Sequence, residues 1–208
     1  MKNFKLYIFI ALIFACESSS DIGRLDGGGL GFSGEGSSNT GIWGSMARFT
    51  IVGDYLYTVD SYDLKSFDIT DQINPEFKEE VNLGWGVETI FPYNSNLFIG
   101  SQSGMHIYSL EKEDKPTWLS TYEHITSCDP VIVEGDYAYV TLRGGADCQN
   151  FNNQLDIIDI SDLENPSLFK TYPMINPHGL GIDDNCLFIT EGDYGLKMYD
   201  VSNLNDIK

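Results

Sequence analysis

Basic residues are scarce in this sequence of 208 residues: 12 lysines and arginines stand against 31 aspartates and glutamates, for a formal net charge of −19. Proteins that bind nucleic acids neutralise phosphates with clustered cations, so this balance argues against nucleic acid as a partner. It also disfavours direct binding to an anionic membrane surface. Such a charge favours solubility but does not identify a ligand.

Motifs that carry metal or nucleophile chemistry are missing too. Among four cysteines and three histidines there is no Cys-x-x-Cys pair and no His-x-x-x-His pair, so a zinc site is not predicted. The acidic residues show no calcium-loop spacing, and neither a Gly-x-Ser-x-Gly elbow nor a phosphate-binding glycine loop occurs. We therefore predict neither a metal nor a cofactor.

Helical periodicity is absent as well, because apolar residues nowhere keep a helical period over about eleven residues. The sequence is instead 42% hydrophobic and 13% aromatic, with 21 glycines. This composition can bury a core and favours β structure with many turns. We predict an all-β fold.

The amino terminus has the form of a secretory signal. Two lysines precede an apolar run over residues 6–15, which is too short for a membrane span of ~20 residues. The run ends at Cys16, and residues 13–16 resemble the lipobox of bacterial lipoproteins, which implies lipid attachment at Cys16. The alternative is a plain secreted protein in which Cys16 is incidental. We predict a signal peptide over residues 1–15.

Residues 16–45 are rich in glycine and serine, with three serines at 18–20 and three glycines at 27–29. Such a composition cannot pack and is typical of a flexible spacer. Two or more acyl chains on Cys16 would give a stable anchor. We predict an exported protein tethered by lipid to a bacterial membrane, at the outer membrane or the cell surface.

From about residue 46 the sequence repeats. Four segments share a turn pair followed by alternating apolar residues, and their last aromatic residues are Tyr57, Phe98, Tyr139 and Phe188. A second series of segments begins at Leu64, Met105, Leu155 and Leu196. Each unit is predicted to form four short strands, which in the third unit cover residues 131–134, 137–142, 155–160 and 168–172. Four strands in ~40–45 residues are typical of propeller blades.

We predict a β-propeller with blades over residues 46–83, 84–125, 126–175 and 176–208, of which the last lacks its outer strand. A β-sandwich also fits the composition, but a sandwich does not require that two series of segments recur with the same period. The short last blade has two explanations. Either the chain is the N-terminal part of a longer propeller, or residues 30–45 supply the missing strand of a small ring.

The third repeat carries a family resemblance. Residues 155–161, Leu-Asp-Ile-Ile-Asp-Ile-Ser, followed by Asn165-Pro166, are similar to the repeat that names the LVIVD-repeat family of bacterial β-propellers. Residues 64–70 and 196–202 match it well, whereas residues 105–111 have Ser109 where the family has Asp. Residues 84–93, 126–130 and 176–182 further resemble a subgroup of surface lipoproteins. The resemblance covers residues 46–208 and implies the fold, but no particular activity.

One position of the repeat collects ionisable residues. Ten residues before the anchor aromatics lie Ala47, Glu88, Asp129 and His178, with Arg48 beside the first. The first strand of a blade lines the propeller channel, so we expect three ionisable groups at one channel mouth. Nearby carboxylates would raise the pKa of His178. Alternatively, each side chain satisfies backbone groups at a strand start.

The third repeat also has a long loop, residues 143–154, which begins at Arg143 and should overhang the same mouth. A tolerated surface insertion is the alternative. Cys148 lies in this loop and Cys128 lies at the start of the same blade, so we predict a disulfide between them. Cys186 lies in an apolar alternation and is interpreted as a small core residue.

Trp85 lies between two glycines near the predicted mouth, where its indole would suit stacking on a sugar or an aromatic ligand. The alternative is a core tryptophan flanked by turn glycines. The predicted binding residues are Arg48, Trp85, Glu88, Asp129, Arg143 and His178.

Two functions remain open at this point. The first is a membrane-anchored binding module whose ligand is a protein or a saccharide. The second is a hydrolase or lyase with His178 as base and Asp129 or Glu88 as the acid or orienting group. A base needs a carboxylate within hydrogen-bond reach in an open pocket, so the contacts of His178 discriminate between the two.

Overall fold

The computed structural model describes residues 48–123, 130–144 and 152–208, which all lie in one compact unit, Thr40–Lys208. The predicted signal peptide and most or all of the predicted tether lie outside the described residues. The same is true of Cys16, Ala47, Cys128, Asp129, Cys148 and most of the loop after Arg143.

The described residues form fifteen strands in four antiparallel sheets, and each sheet follows chain order. The first sheet contains β1 (Phe49–Val52), β2 (Tyr55–Val59), β3 (Asp63–Asp68) and β4 (Glu76–Asn82). The second contains β5 (Val87–Tyr93), β6 (Asn96–Ser101), β7 (Gly104–Ser109) and β8 (Thr117–Glu123). The third contains β9 (Val131–Glu134), β10 (Tyr137–Leu142), β11 (Gln154–Asp159) and β12 (Ser167–Pro173). The fourth contains β13 (Leu180–Asp183), β14 (Cys186–Thr190) and β15 (Leu196–Asp200).

The sheets confirm the predicted all-β class and the blade repeats. In the third sheet the first two strands have the predicted bounds, and the other two differ from the prediction by one residue at each end. The fourth sheet has three strands, as predicted for the last blade. A short 3-10 helix, Gly192–Tyr194, joins β14 to β15, and the described residues contain no α-helix.

The first two strands of each blade are joined by tight turns whose first residue has a positive φ. These residues are Gly53 at 57°, Asn94 at 44°, Gly135 at 60° and Asp184 at 50°. Hairpin turns that match the strand twist require such angles, which glycine, asparagine and aspartate adopt most readily. The turn pairs that repeat in the sequence therefore have a backbone cause.

A second repeated turn follows the third strand of each blade. Asp68, Asp159 and Asp200 each accept a hydrogen bond at 2.9 Å from the backbone N–H two residues further on. The second blade has Ser109 at this position, and its Oγ accepts the equivalent bond from the N–H of Glu111 at 3.1 Å. The departure from the family pattern at Ser109 therefore preserves the turn.

These bonds lower the pKa of the turn aspartates. The hydroxyl and N–H of Thr70 hold the pKa of Asp68 below its ordinary value, and Ser161 does the same for Asp159. A carboxylate with a lowered pKa stabilises the fold while it is ionised, so its contribution is present above about pH 4. The contribution is lost as the pH falls through the lowered pKa.

The core lies between neighbouring sheets. Tyr57 and Leu64 of the first blade share a buried cluster with Ile90, Leu97 and Ile99 of the second, and each of these side chains is at most 1% exposed. The first strands follow one another across the sheets, since β1 contacts β5, β5 contacts β9 and β9 contacts β13. The four blades are thus packed face to face in chain order, as in a propeller.

Polar bonds add to this packing. Each of the first three blades has a side-chain hydroxyl that donates to a backbone carbonyl of the next blade. This carbonyl lies after the third strand of that next blade. The pairs are Ser66 with Asp114 at 2.7 Å, Ser120 with Leu163 at 2.6 Å, and Tyr172 with Leu204 at 2.8 Å. A net gain of about 1 kcal/mol for each such bond would couple every blade to its successor.

Candidate functional site

The candidate site lies at the upper end of the blades, where their first strands begin and their second and third strands are joined. In the first and third blades, residues at this end bond to the segment that leads into the next blade. The carbonyl of Ser61 accepts from the N–H of Gly86 at 3.1 Å, and the hydroxyl of Thr141 donates to the carbonyl of His178 at 2.7 Å. The end that the sequence predicted as a channel mouth is therefore built from adjoining blades.

Arg143 and His178 form a pair at this end. Nη1 of Arg143 lies 3.0 Å from Nδ1 and 3.3 Å from Nε2 of the imidazole. A guanidinium can only donate, so it bonds to whichever of the two ring nitrogens carries no proton, and the tautomer decides which one that is. The structure thus brings together two predicted binding residues that are 35 positions apart in the sequence.

The expected rise in the pKa of His178 is wrong. Burial of the imidazole lowers its pKa first, and the positive charge of Arg143 lowers it further. The prediction assumed that neighbouring carboxylates face the ring, whereas the described neighbour is a cation. Both effects favour the neutral form of the imidazole.

We predict that Arg143→Gln raises the pKa of His178, because the substitution removes a nearby positive charge and keeps a polar side chain. The measurement is an NMR titration of the imidazole, in which the wild-type midpoint should lie below the ordinary ~6.5. His106 serves as the internal control, since its ring contacts Ser101 at 3.2 Å and Thr121 at 2.9 Å. A midpoint for His178 that stays unchanged in the variant would contradict the assignment.

The loop between β14 and β15 passes close to the ring of His178. Gly192 has φ +55°, and a Cβ there would lie 2.6 Å from Nδ2 of Asn176 and 3.2 Å from Nε2 of His178. The preceding Glu191 is fully buried, accepts from the N–H of Ile175 at 3.0 Å and pairs with the ammonium of Lys197. This buried carboxylate fixes the loop against the segment that carries the histidine.

Trp85 is 60% exposed at the upper end, so the alternative of a core tryptophan is wrong. Its neighbours Gly84 and Gly86 have φ angles of 93° and 84°, which disfavour residues with a Cβ. At Gly86 a Cβ would also lie 3.0 Å from Cβ and Cγ of Gln102. The two glycines thus shape a bend that presents the indole to solvent.

Glu88 is the second residue of β5 and is half-buried. Its Oε1 accepts from Nε2 of Gln102 at 3.2 Å. The sequence predicted Glu88 but missed Gln102, which lies in the turn between β6 and β7. The sequence did contain a signal for Gln102, because it places an amide side chain in the short turn after the second strand of the blade.

The structure does not bring all the predicted binding residues together among the residues that it describes. Arg48 is exposed just before β1, and its carbonyl accepts from the N–H of Val59 at 2.8 Å. Asp129 lies outside the described residues. Glu88 and His178 lie at the same end of different blades and bond to different partners. Convergence of Glu88, Asp129 and His178 on one site therefore stays a prediction.

Cys186 is disulfide-bonded and half-buried, which corrects its interpretation as an unpaired core residue. The apolar alternation around it indicated burial but carried no information on its oxidation state. Cys128 and Cys148 lie outside the described residues, so a bond between them stays a prediction. The chain has four cysteines, so this bond would leave only Cys16 as a partner for Cys186 within the chain. Lipid attachment at Cys16 would consume that thiol, so the two predictions exclude each other if the disulfide of Cys186 lies within one chain.

Two other findings concern the described residues. They include no group of three or more histidine, cysteine or acidic side chains that could hold a metal ion. Within them, no helix has the length and apolar character needed to cross a membrane.

Comparisons with known proteins identify an LVIVD repeat at residues 127–173, which confirms the resemblance for the third blade. No curated protein matches the chain. The chain is similar to a chain of a solved S. cerevisiae complex, a Dbp5 variant bound to Nup159, a Gle1 variant, IP6 and ADP. The likeness has 11% identity and a TM-score of 0.50, and it covers 79% of this chain and 42% of that one. This chain thus spans less than half the length of its structural match, and the likeness shows the fold alone.

Proposed function

Because the chain carries an LVIVD repeat within a series of propeller-like blades, we propose that it is a binding module held outside the cytoplasm by a lipid anchor. The ligand or partner binds at the upper end of the blades. The lysine-led apolar run and the Cys16 that follows it support the anchor. The disulfide at Cys186 supports an oxidising compartment, since such bonds persist mainly in exported proteins.

The observation that carries the binding function is the exposure of Trp85. Burying a tryptophan removes a large apolar surface from water, so leaving 60% of one exposed forgoes that stabilisation. Here the chain also adopts two positive φ angles to present it. Exposed tryptophan and arginine are the residues that most often dominate binding energy. Trp85 and Arg143 lie at the same end of the blades.

Catalysis is the less favoured function. A general base needs a free nitrogen and a pKa near the working pH. The described partner of the His178 ring is a guanidinium, which competes with a substrate proton for the unprotonated ring nitrogen. The lowered pKa makes the imidazole a weaker base still. Glu88, one of the two candidate acids, bonds to Gln102 instead.

The test is to screen the immobilised full chain for binding to three classes of probe: neutral oligosaccharides, acidic oligosaccharides, and peptides of either charge. We expect at least one class to bind and its affinity to fall in Arg143→Ala or Trp85→Ala. Two matched variants lie away from the upper end: Lys112→Ala removes an exposed cation, and Trp118→Ala removes an indole that is 57% exposed. Absence of binding, or equal losses in matched variants, would reject the function.

A further inference from the structure

Aromatic and polar residues come together where the first two blades meet at the upper end, because the connection between β2 and β3 bonds to the segment that leads into β5. Tyr62 belongs to the connection between β2 and β3, and its carbonyl accepts from the N–H of Leu83 at 2.7 Å. Tyr62 is 50% exposed and Trp85 is 60% exposed. On the second blade, Gln102 lies against Gly86, the residue after Trp85, and donates to Glu88. We call Tyr62, Trp85, Glu88 and Gln102 the aromatic-amide patch.

We propose that the aromatic-amide patch binds a neutral saccharide, whose ring stacks on Trp85 while its hydroxyls bond to Gln102 and Glu88. This inference rests on the proposed binding function and names its ligand class. A pyranose has one face of C–H groups and a rim of hydroxyls. The C–H face suits the electron-rich face of an indole, and the rim suits groups that both donate and accept.

The bond between Gln102 and Glu88 favours hydroxyls as partners. Gln102 uses one amide hydrogen on Glu88, which leaves a second hydrogen to donate and a carbonyl to accept. The carboxylate of Glu88 has further lone pairs. Neighbouring sugar hydroxyls can each donate and accept, so they match this combination. A purely cationic ligand would use only the acceptors.

The charge around the patch disfavours acidic sugars. Asp60 lies two residues before Tyr62 and accepts from its N–H at 2.8 Å. Hydrogen bonds from backbone N–H groups and from Lys65 hold the pKa of Asp60 at about 2, so it is ionised. Lys65, the nearby cation, pairs with Asp60 at 3.0 Å and with Glu80 at 3.6 Å. Lys65 is thus shared by two acids, and Glu88 bonds to the neutral amide of Gln102, so the described charges around the patch are mostly negative and repel uronates or sulfated sugars.

The experiment measures the affinity of the full chain for neutral oligosaccharides of two to six hexose units, with uronate-containing oligosaccharides in parallel. Trp85→Ala should weaken binding of a neutral sugar by about tenfold or more, and Gln102→Ala should weaken it as well. Trp118→Ala should bind like the wild type. Since the indole of Trp85 is mostly exposed, the melting temperature of Trp85→Ala should change little, which separates lost binding from lost folding.

Three results would overturn the inference. They are a wild type that binds no neutral oligosaccharide, a Trp85→Ala variant that binds as well as the wild type, and a preference for uronate-containing oligosaccharides. If neutral sugars fail but a peptide binds and loses affinity in Arg143→Ala, the saccharide inference is wrong and the binding function survives. If no probe of any class binds, both are wrong.

Discussion

Gly104→Ala is expected to destabilise the protein by about 1–3 kcal/mol, the range for overpacking a well-packed site. Gly104 begins β7 opposite Glu123 of β8 and is buried. A Cβ there would lie 2.4 Å from the carbonyl oxygen of Tyr122 and 3.3 Å from the Cα of Glu123. These atoms belong to the backbone, so they cannot rotate away. The strand pair would have to separate, which places the cost towards the upper end of the range.

Gly181→Ala is the matched control, because Gly181 also lies in a strand but a Cβ there would meet nothing within 4 Å. Its effect should stay within about 0.5 kcal/mol. Thermal and urea unfolding of the full chain measure both variants. For a chain of this size, 1 kcal/mol corresponds to about 2–4 °C in Tm. Equal shifts in the two variants would show that the close approach at Gly104 does not limit stability.

Cys16→Ser is expected to abolish lipid attachment and to release the protein from the membrane. A thiol is the only group at this position that can carry the thioether-linked lipid, and a single residue therefore decides the anchor. Metabolic labelling with a fatty-acid probe, followed by fractionation, measures both effects. The wild type should be labelled and membrane-bound, and the variant should be neither.

Cys186→Ser is the control for this experiment, because it also removes one cysteine but leaves the predicted attachment site intact. It should keep the label and the membrane association. Label retained in Cys16→Ser would contradict the assignment, as would a mature protein that begins at Met1.

The strand pattern could be predicted because its causes are local. The turn residues Gly53 and Asn94 have positive φ angles, and the aspartates at positions 68 and 159 bond to the backbone two residues on. Each feature depends on a few neighbouring residues, and each recurs with the repeat. The two anchor series therefore placed strands of the third blade within one residue of their observed ends.

The environment of His178 could not be predicted in the same way. The repeat predicted correctly that His178 lies at the start of a blade. The expectation of a shared channel mouth then led to the prediction that carboxylates surround its ring. Its ring is instead met by Arg143, which lies on the preceding blade and beyond the regular part of the repeat. The direction of a pKa shift depends on that one contact, and contacts between blades leave no mark in the periodicity.

Gln102 and Cys186 illustrate the same limit. The amide of Gln102 reaches Glu88 past Gly86, which has no side chain in the way, and this condition involves two separate segments of the blade. Cys186 lies in an apolar alternation that indicates burial, yet it is disulfide-bonded. Oxidation depends on which thiol comes close in space, and the alternation contains no information on that.

The hydroxyl bonds between blades bear on how such an array can change during evolution. Their acceptors are the carbonyls of Asp114, Leu163 and Leu204, a charged residue and two aliphatic ones. Every amino acid has this carbonyl, so a substitution in the turn leaves the acceptor in place. After a blade is duplicated, the residue at the acceptor position can change while the junction with its neighbour keeps its hydrogen bond.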